Sequence, residues 1–167
     1  MNRRHVLGSL PAVGSLALAG CSSILGSGDK GTVLGKITVM NSSRVPNRVR
    51  VVVERDGETL VTEDVSLGAL DSEDDSDWTM IDPSWSHTQS QYTVRAAHID
   101  ESGDLEAEYR EYTFSQEDYA TYYEDRQADP GCLGAEVRVG SLSEDPNARI
   151  SVSPTKVENP CGNGDSR

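Results

Sequence analysis

Histidine, cysteine and lysine occur only three times each in 167 residues, and phenylalanine only once. Scarce histidine leaves little material for catalysis or metal binding. No nucleophile-elbow pattern and no zincin helix motif occurs. A copper site of the cupredoxin type would want two histidines, a free cysteine and a methionine in late loops, whereas Met40 and Met80 lie early in the chain. Gly26 and Gly31 have the separation of a phosphate loop, but Thr32 stands where its lysine must be. No motif asks for a cofactor. Scarce lysine has its own consequence: 15 basic residues face 28 acidic ones, a net charge of −13. That balance argues against nucleic acid, whose affinity comes from cations neutralising phosphates, and against direct adhesion to anionic headgroups.

Long hydrophobic runs are also missing, apart from Val6 to Gly20. About 15 residues at 1.5 Å each reach about 22 Å, short of a hydrocarbon core about 30 Å thick, and Pro11, Gly8 and Gly14 weaken a helix there. The stretch fits instead the three-part layout of an export signal: a charged start, an apolar middle and a small-residue end. Arg3 and Arg4, followed by His5, Val6 and Leu7, are similar to the twin-arginine export pattern, an address read by a receptor. Leu18, Ala19, Gly20 and Cys21 resemble a lipobox. Small side chains there would admit a peptidase, and the Cys21 thiol would supply the nucleophile for a lipid thioether. The resemblance implies a mature chain beginning at Cys21 and held at the extracellular face of the cell membrane. One acyl chain binds only reversibly, so stable anchoring takes two. The rival reading is an ordinary cleaved signal with an incidental cysteine.

From Cys21 onward 13 basic residues remain against 28 acids, a net charge of −15. The acids are spread along the chain, and arginine outnumbers lysine 12 to 3 overall. Together with the leader, this composition resembles exported lipoproteins of halophilic archaea. Such self-repulsion destabilises a compact state in dilute buffer, whereas in 1 M salt the Debye length is about 3 Å. Loss of structure in low salt is therefore expected.

One domain is expected at this length. Residues 1–20 read as signal, 21–31 as a small-residue tether and 32–167 as the folded part. With Cys21 assigned to lipid, Cys132 and Cys161 remain outside the reducing cytosol, and a disulfide is the natural reading, with a paired-cysteine metal site as its rival. The bond would close a segment of about 30 residues, worth roughly 3.6 kcal/mol on a chain-entropy estimate.

The folded part reads as β. Val33, Gly35, Ile37 and Val39 alternate with Leu34, Lys36, Thr38 and Met40. Asp56-Gly57 between β-rich runs is the strongest short-range hairpin signal, and folding about it sets Arg55 opposite Glu58, Val53 opposite Leu60 and Arg50 opposite Glu63. Residues 92–99 alternate again. Leu105, Ala107 and Tyr109 continue the pattern until a slip of phase toward Tyr112 and Phe114 suggests a bulge. Ser115 with Asp118 reads as a capped helix start, stopping near Asp129-Pro130-Gly131. Two short strands around residues 135–140 and 148–152 follow, and the tail carries Cys161 back to Cys132. About seven to eight short strands with one late helix predict an antiparallel β-sandwich, and the pattern resembles the immunoglobulin-like modules of archaeal surface proteins.

Chemistry is sparse. His98 lies on the apolar side of its strand, which favours a structural imidazole; His87 sits in a polar loop. Asp71, Glu73, Asp75 and Asp77 could offer oxygens to calcium, but the glycine such a loop needs at its sixth position is Ser76, so a solvated acidic loop is favoured. Tyr119, Tyr122 and Tyr123 recur at helical spacing and could grip a sugar or a partner, or close one end of the sandwich. Trp78 is expected in the core and Trp85 in a loop, an interaction anchor if exposed. The expectation is a non-catalytic, lipid-anchored module that binds another envelope protein or acts as a spacer. Its rivals are a ligand- or metal-binding lipoprotein using Asp71–Asp77, His87 and His98, and an accessory or degenerate hydrolase domain.

Overall fold

A computed structural model describes residues 31–70, 77–123, 129–140 and 149–162. The leader, Cys21 and the tether up to residue 30, the acids of 71–76, the expected end of the helix at 124–128 and the turn at 141–148 lie outside the described residues.

The described residues form eight strands and one helix: β1 (Leu34–Asn41), β2 (Asn47–Arg55), β3 (Glu58–Leu67), β4 (Asp77–Ile81), β5 (Tyr92–His98), β6 (Arg110–Phe114), α1 (Gln116–Tyr123), β7 (Leu133–Val139) and β8 (Ile150–Thr155). They make a β-sandwich of two four-stranded sheets, ordered β4-β1-β7-β8 and β3-β2-β5-β6. Alternation builds it. Ile37 and Val39 from β1, Val49, Val51 and Val53 from β2, Val94 and Ala96 from β5, and Ala135, Val137 and Val139 from β7 are all fully buried between the layers. All pairs are antiparallel except one, because β1 and β7 run parallel in the middle of their sheet.

The β2–β3 hairpin turns on Asp56 and Gly57, with φ of 53° and 84°, the two positive values that a tight primed turn requires. Arg55 faces Glu58 as expected. Beyond that the register departs from the sequence reading. Glu54 faces Thr59 and Val53 faces Val61, so Leu60 is an extra residue in β3. Every later pairing moves by one, and Arg50 meets Asp64 rather than Glu63. The charge pair survives the shift because two acids stand side by side. Arg50 Nε and Nη2 donate to the Asp64 carboxylate at 2.6 and 2.7 Å, and the guanidinium holds that carboxyl below its ordinary range.

Two other expectations change. The run from Leu105 to Tyr109 is not a bulged strand: only Leu105 makes a bridge, to Ile99, and the strand starts at Arg110. The tryptophans exchange roles. Trp78 is 57% exposed, and Trp85 is 8% exposed. The Trp85 indole N–H donates to the Leu34 carbonyl at 2.9 Å, which draws the loop after β4 across one end of the sandwich.

That end also holds the disulfide. Cys132 and Cys161 are bonded, with Cα atoms 5.4 Å apart. The tail reaches β1 as well, where the Lys36 N–H donates to the Pro160 carbonyl at 2.7 Å. Gly35 allows this approach, since a Cβ there would overlap that same carbonyl.

Candidate functional site

The helix lies between β6 and β7. Ser115 caps it reciprocally: the Asp118 N–H donates to Ser115 Oγ at 3.2 Å, and the Ser115 N–H donates to Asp118 Oδ2 at 2.8 Å. Asp118 also accepts the Tyr112 hydroxyl at 2.6 Å, which ties the cap to the sheet. The tyrosine stripe then points inward. Tyr123 is buried and its ring lies 5.1 Å from that of Tyr119. The Tyr122 hydroxyl donates to the Pro154 carbonyl at 3.0 Å, and that of Tyr119 donates to Asp129 while accepting the Gly131 N–H at 3.1 Å. Burial, with the Asp129 carboxylate adding to it, pushes the Tyr119 hydroxyl up to about 12. The stripe closes one end of the sandwich, with the polar tips of Tyr119 and Tyr122 satisfied by the protein itself.

The histidines stand far apart. Tyr92, at the start of β5, donates its hydroxyl to the carbonyls of Ser86 and Thr88 at 3.1 and 3.0 Å, which fixes His87 at that end. His98 is the last residue of β5 and is buried. Seven residues of strand separate the two ends by about 20 Å. One ligand site using both histidines is therefore excluded. Asp77 lies at the His98 end, since it faces Asn41 and its carboxylate accepts the Gly68 N–H; the other acids of that loop are outside the described residues. Among the described residues no three His, Cys, Asp or Glu side chains are grouped to hold a metal.

The end near His98 is organised by polar side chains between β1 and β2. Asn41, Ser43 and Asn47 are buried. Asn41 Nδ2 donates to the carbonyls of Val45 and Gly68 at 2.8 and 2.6 Å, Ser43 Oγ donates to Asn41 Oδ1 at 2.9 Å, and Asn47 Nδ2 donates to Ser43 Oγ at 2.9 Å. This network locks the turn and holds the loop after β3. Beside it lies an open cleft of about 520 Å³ lined by Asn47, Arg48, Leu67, His98, Asp100 and Glu106. Arg48 Nη1 is already committed to the Asp100 carbonyl at 2.8 Å.

The two outer faces of the sandwich differ in character. On the β3-β2-β5-β6 sheet Arg50 pairs with Asp64, while Arg95 pairs with Glu54 at 2.9 Å and Glu111 at 3.6 Å and lies 4.5 Å from the Tyr109 ring centre. The other sheet carries Trp78 opposite Met40 and Met80 opposite Thr38. This apolar strip, the one exposed tryptophan included, is what sequence reasoning missed. Its signal was the alternation of Trp78 and Met80 with Thr79 and Ile81.

No protein-family model matches the chain, and no curated protein matches it in sequence.

Proposed function

We propose that the chain is a lipid-anchored surface module of the cell envelope, exported with its leader, acylated at Cys21 and non-catalytic in itself. The observation that carries this reading is the order of Arg3-Arg4, a short apolar run and Leu18-Ala19-Gly20-Cys21 ahead of the sandwich domain. Support comes from the disulfide between Cys132 and Cys161, a bond that persists in oxidising compartments, and from the acidic composition, which leaves membrane attachment to lipid. Tethering is the mechanism: confinement at a surface raises the effective concentration of a weakly binding domain. The export route is twin-arginine, the setting is halophilic, and the module binds another envelope protein or acts as a structural spacer.

Fractionation of cells expressing the full chain tests the reading. The unsubstituted protein should sediment with membranes and enter the detergent phase, while Cys21→Ser should move to the aqueous phase. Equal partitioning of the two would overturn the anchor.

A further inference from the structure

Among the described residues the sandwich has four sheet edges, and three carry a device that blocks pairing with another strand. β8 contains Pro154, which has no N–H to offer a ladder. β3 contains Glu58, Glu63 and Asp64, and Glu63 lies in register with buried Val51, on the inner side of an exposed edge. β6 contains Arg110 and Glu111, with Arg110 in register with buried Ala96. The fourth edge, β4, is different. After Asp77, whose carboxylate is held by the Gly68 N–H, it runs Trp78-Thr79-Met80-Ile81 without a charge or a proline. Trp78 is one of two large hydrophobic side chains that stand exposed among the described residues.

We infer that β4 pairs antiparallel with β4 of a second copy of this chain, about a two-fold axis at Thr79, to form one continuous eight-stranded sheet. The sequence of the edge is self-complementary under that axis. Trp78 falls opposite Met80 of the second copy and Met80 opposite its Trp78, so that two sulfur–aromatic pairs form on one face. Charge points the same way. The chain carries −13, yet the face that would be joined is neutral: Glu136 and Arg138, facing Thr38 and Met40, pair with each other at 2.9 Å, and Lys36 pairs with Asp82 at 3.7 Å. On that face each copy's fixed charges are paired within the copy; Asp77, held by its own Gly68 N–H, falls opposite Ile81 of the second copy, and the long-range repulsion is screened in molar salt. A strand pair of this length buries less than a standard interface, so the contact is reversible. Because β4 runs toward the end from which Gly31 emerges, the antiparallel pair sets the two Gly31 residues at opposite ends.

The full chain in molar salt tests this by disulfide trapping. A two-fold at Thr79 sets the two Thr79 Cα atoms about 4.5–5.5 Å apart, within disulfide range. Thr79→Cys should give a reducible dimer on mild oxidation, while the unsubstituted chain and Thr62→Cys on the guarded β3 edge should not. In sedimentation equilibrium the unsubstituted chain should dimerise reversibly, and Trp78→Glu should raise its dissociation constant about tenfold or more. Equal trapping of Thr79→Cys and Thr62→Cys overturns the inference, as does an unsubstituted chain that stays monomeric at millimolar concentration. Either result leaves the lipid anchor untouched, since that is read from membrane partitioning.

Discussion

Truncating Trp85 should cost far more than truncating Trp78, the reverse of what their sequence surroundings suggest. Trp85 is 8% exposed and packs within the core cluster while its indole N–H serves the Leu34 carbonyl. Replacing a buried tryptophan with alanine costs about 3–5 kcal/mol through lost transfer energy and the cavity left behind. The Leu34 carbonyl loses this donor in a buried place, which adds about 1 kcal/mol or more unless water enters. A total of about 4–6 kcal/mol is a large share of the 5–15 kcal/mol that holds a typical domain together. With a urea slope near 2 kcal/mol/M, Trp85→Ala should lower the unfolding midpoint by about 2–3 M. Trp78 is 57% exposed on an edge strand, and Trp78→Ala should stay within about 1 kcal/mol of the parent. The assay is urea unfolding in molar salt followed by far-UV circular dichroism, at a concentration low enough to keep the chain monomeric. Equal midpoint losses for the two variants would refute the placement of the loop after β4. Trp85→Phe separates the two contributions, since it keeps most of the packing and removes the N–H.

Three further outcomes follow from the same geometry. Asn41→Ala removes the donor to the carbonyls of Val45 and Gly68 and should destabilise by about 2–4 kcal/mol in the same urea assay. The Tyr119 hydroxyl titrates near 12 in the folded state against about 10 in an open chain, so its contribution is complete below pH 10 and is lost as pH rises toward 12. Thermal melts should fall across that window, and Tyr119→Phe should flatten the fall at the cost of a lower melting temperature at pH 8. At a net charge of −13, dialysis from molar to millimolar salt should abolish the β-sheet circular dichroism signal, and its persistence would contradict the charge argument.

What the sequence made legible was local or compositional. Asp56-Gly57 announces its hairpin because both residues tolerate positive φ, and Ser115 with Asp118 announces the helix start because the two groups satisfy each other within one turn. The disulfide was legible by elimination. What failed depended on contacts distant in the chain. The extra residue at Leu60 leaves no local mark, since Glu63 and Asp64 serve equally well as partners for Arg50 until the register is known. The parallel pairing of β1 with β7 joins residues about 100 positions apart, and alternation alone reads the same in either direction. Trp78 and Trp85 sit in similar polar surroundings, and only the Leu34 carbonyl and the edge position of β4 separate them. The helical tyrosines were legible as a stripe able to close one end of the sandwich, but their hydroxyl partners Asp129 and Pro154 were not, because these come from later in the chain.

The lipid anchor is a covalent bond, and the intact mass of the chain recovered from membranes reads it. Acylation at Cys21 should give a polypeptide beginning at Cys21, heavier than its sequence by a thioether-linked diacyl lipid and lighter by two hydrogens for the bond between Cys132 and Cys161. A chain that keeps Met1 and carries an unmodified Cys21 sulfur would contradict it.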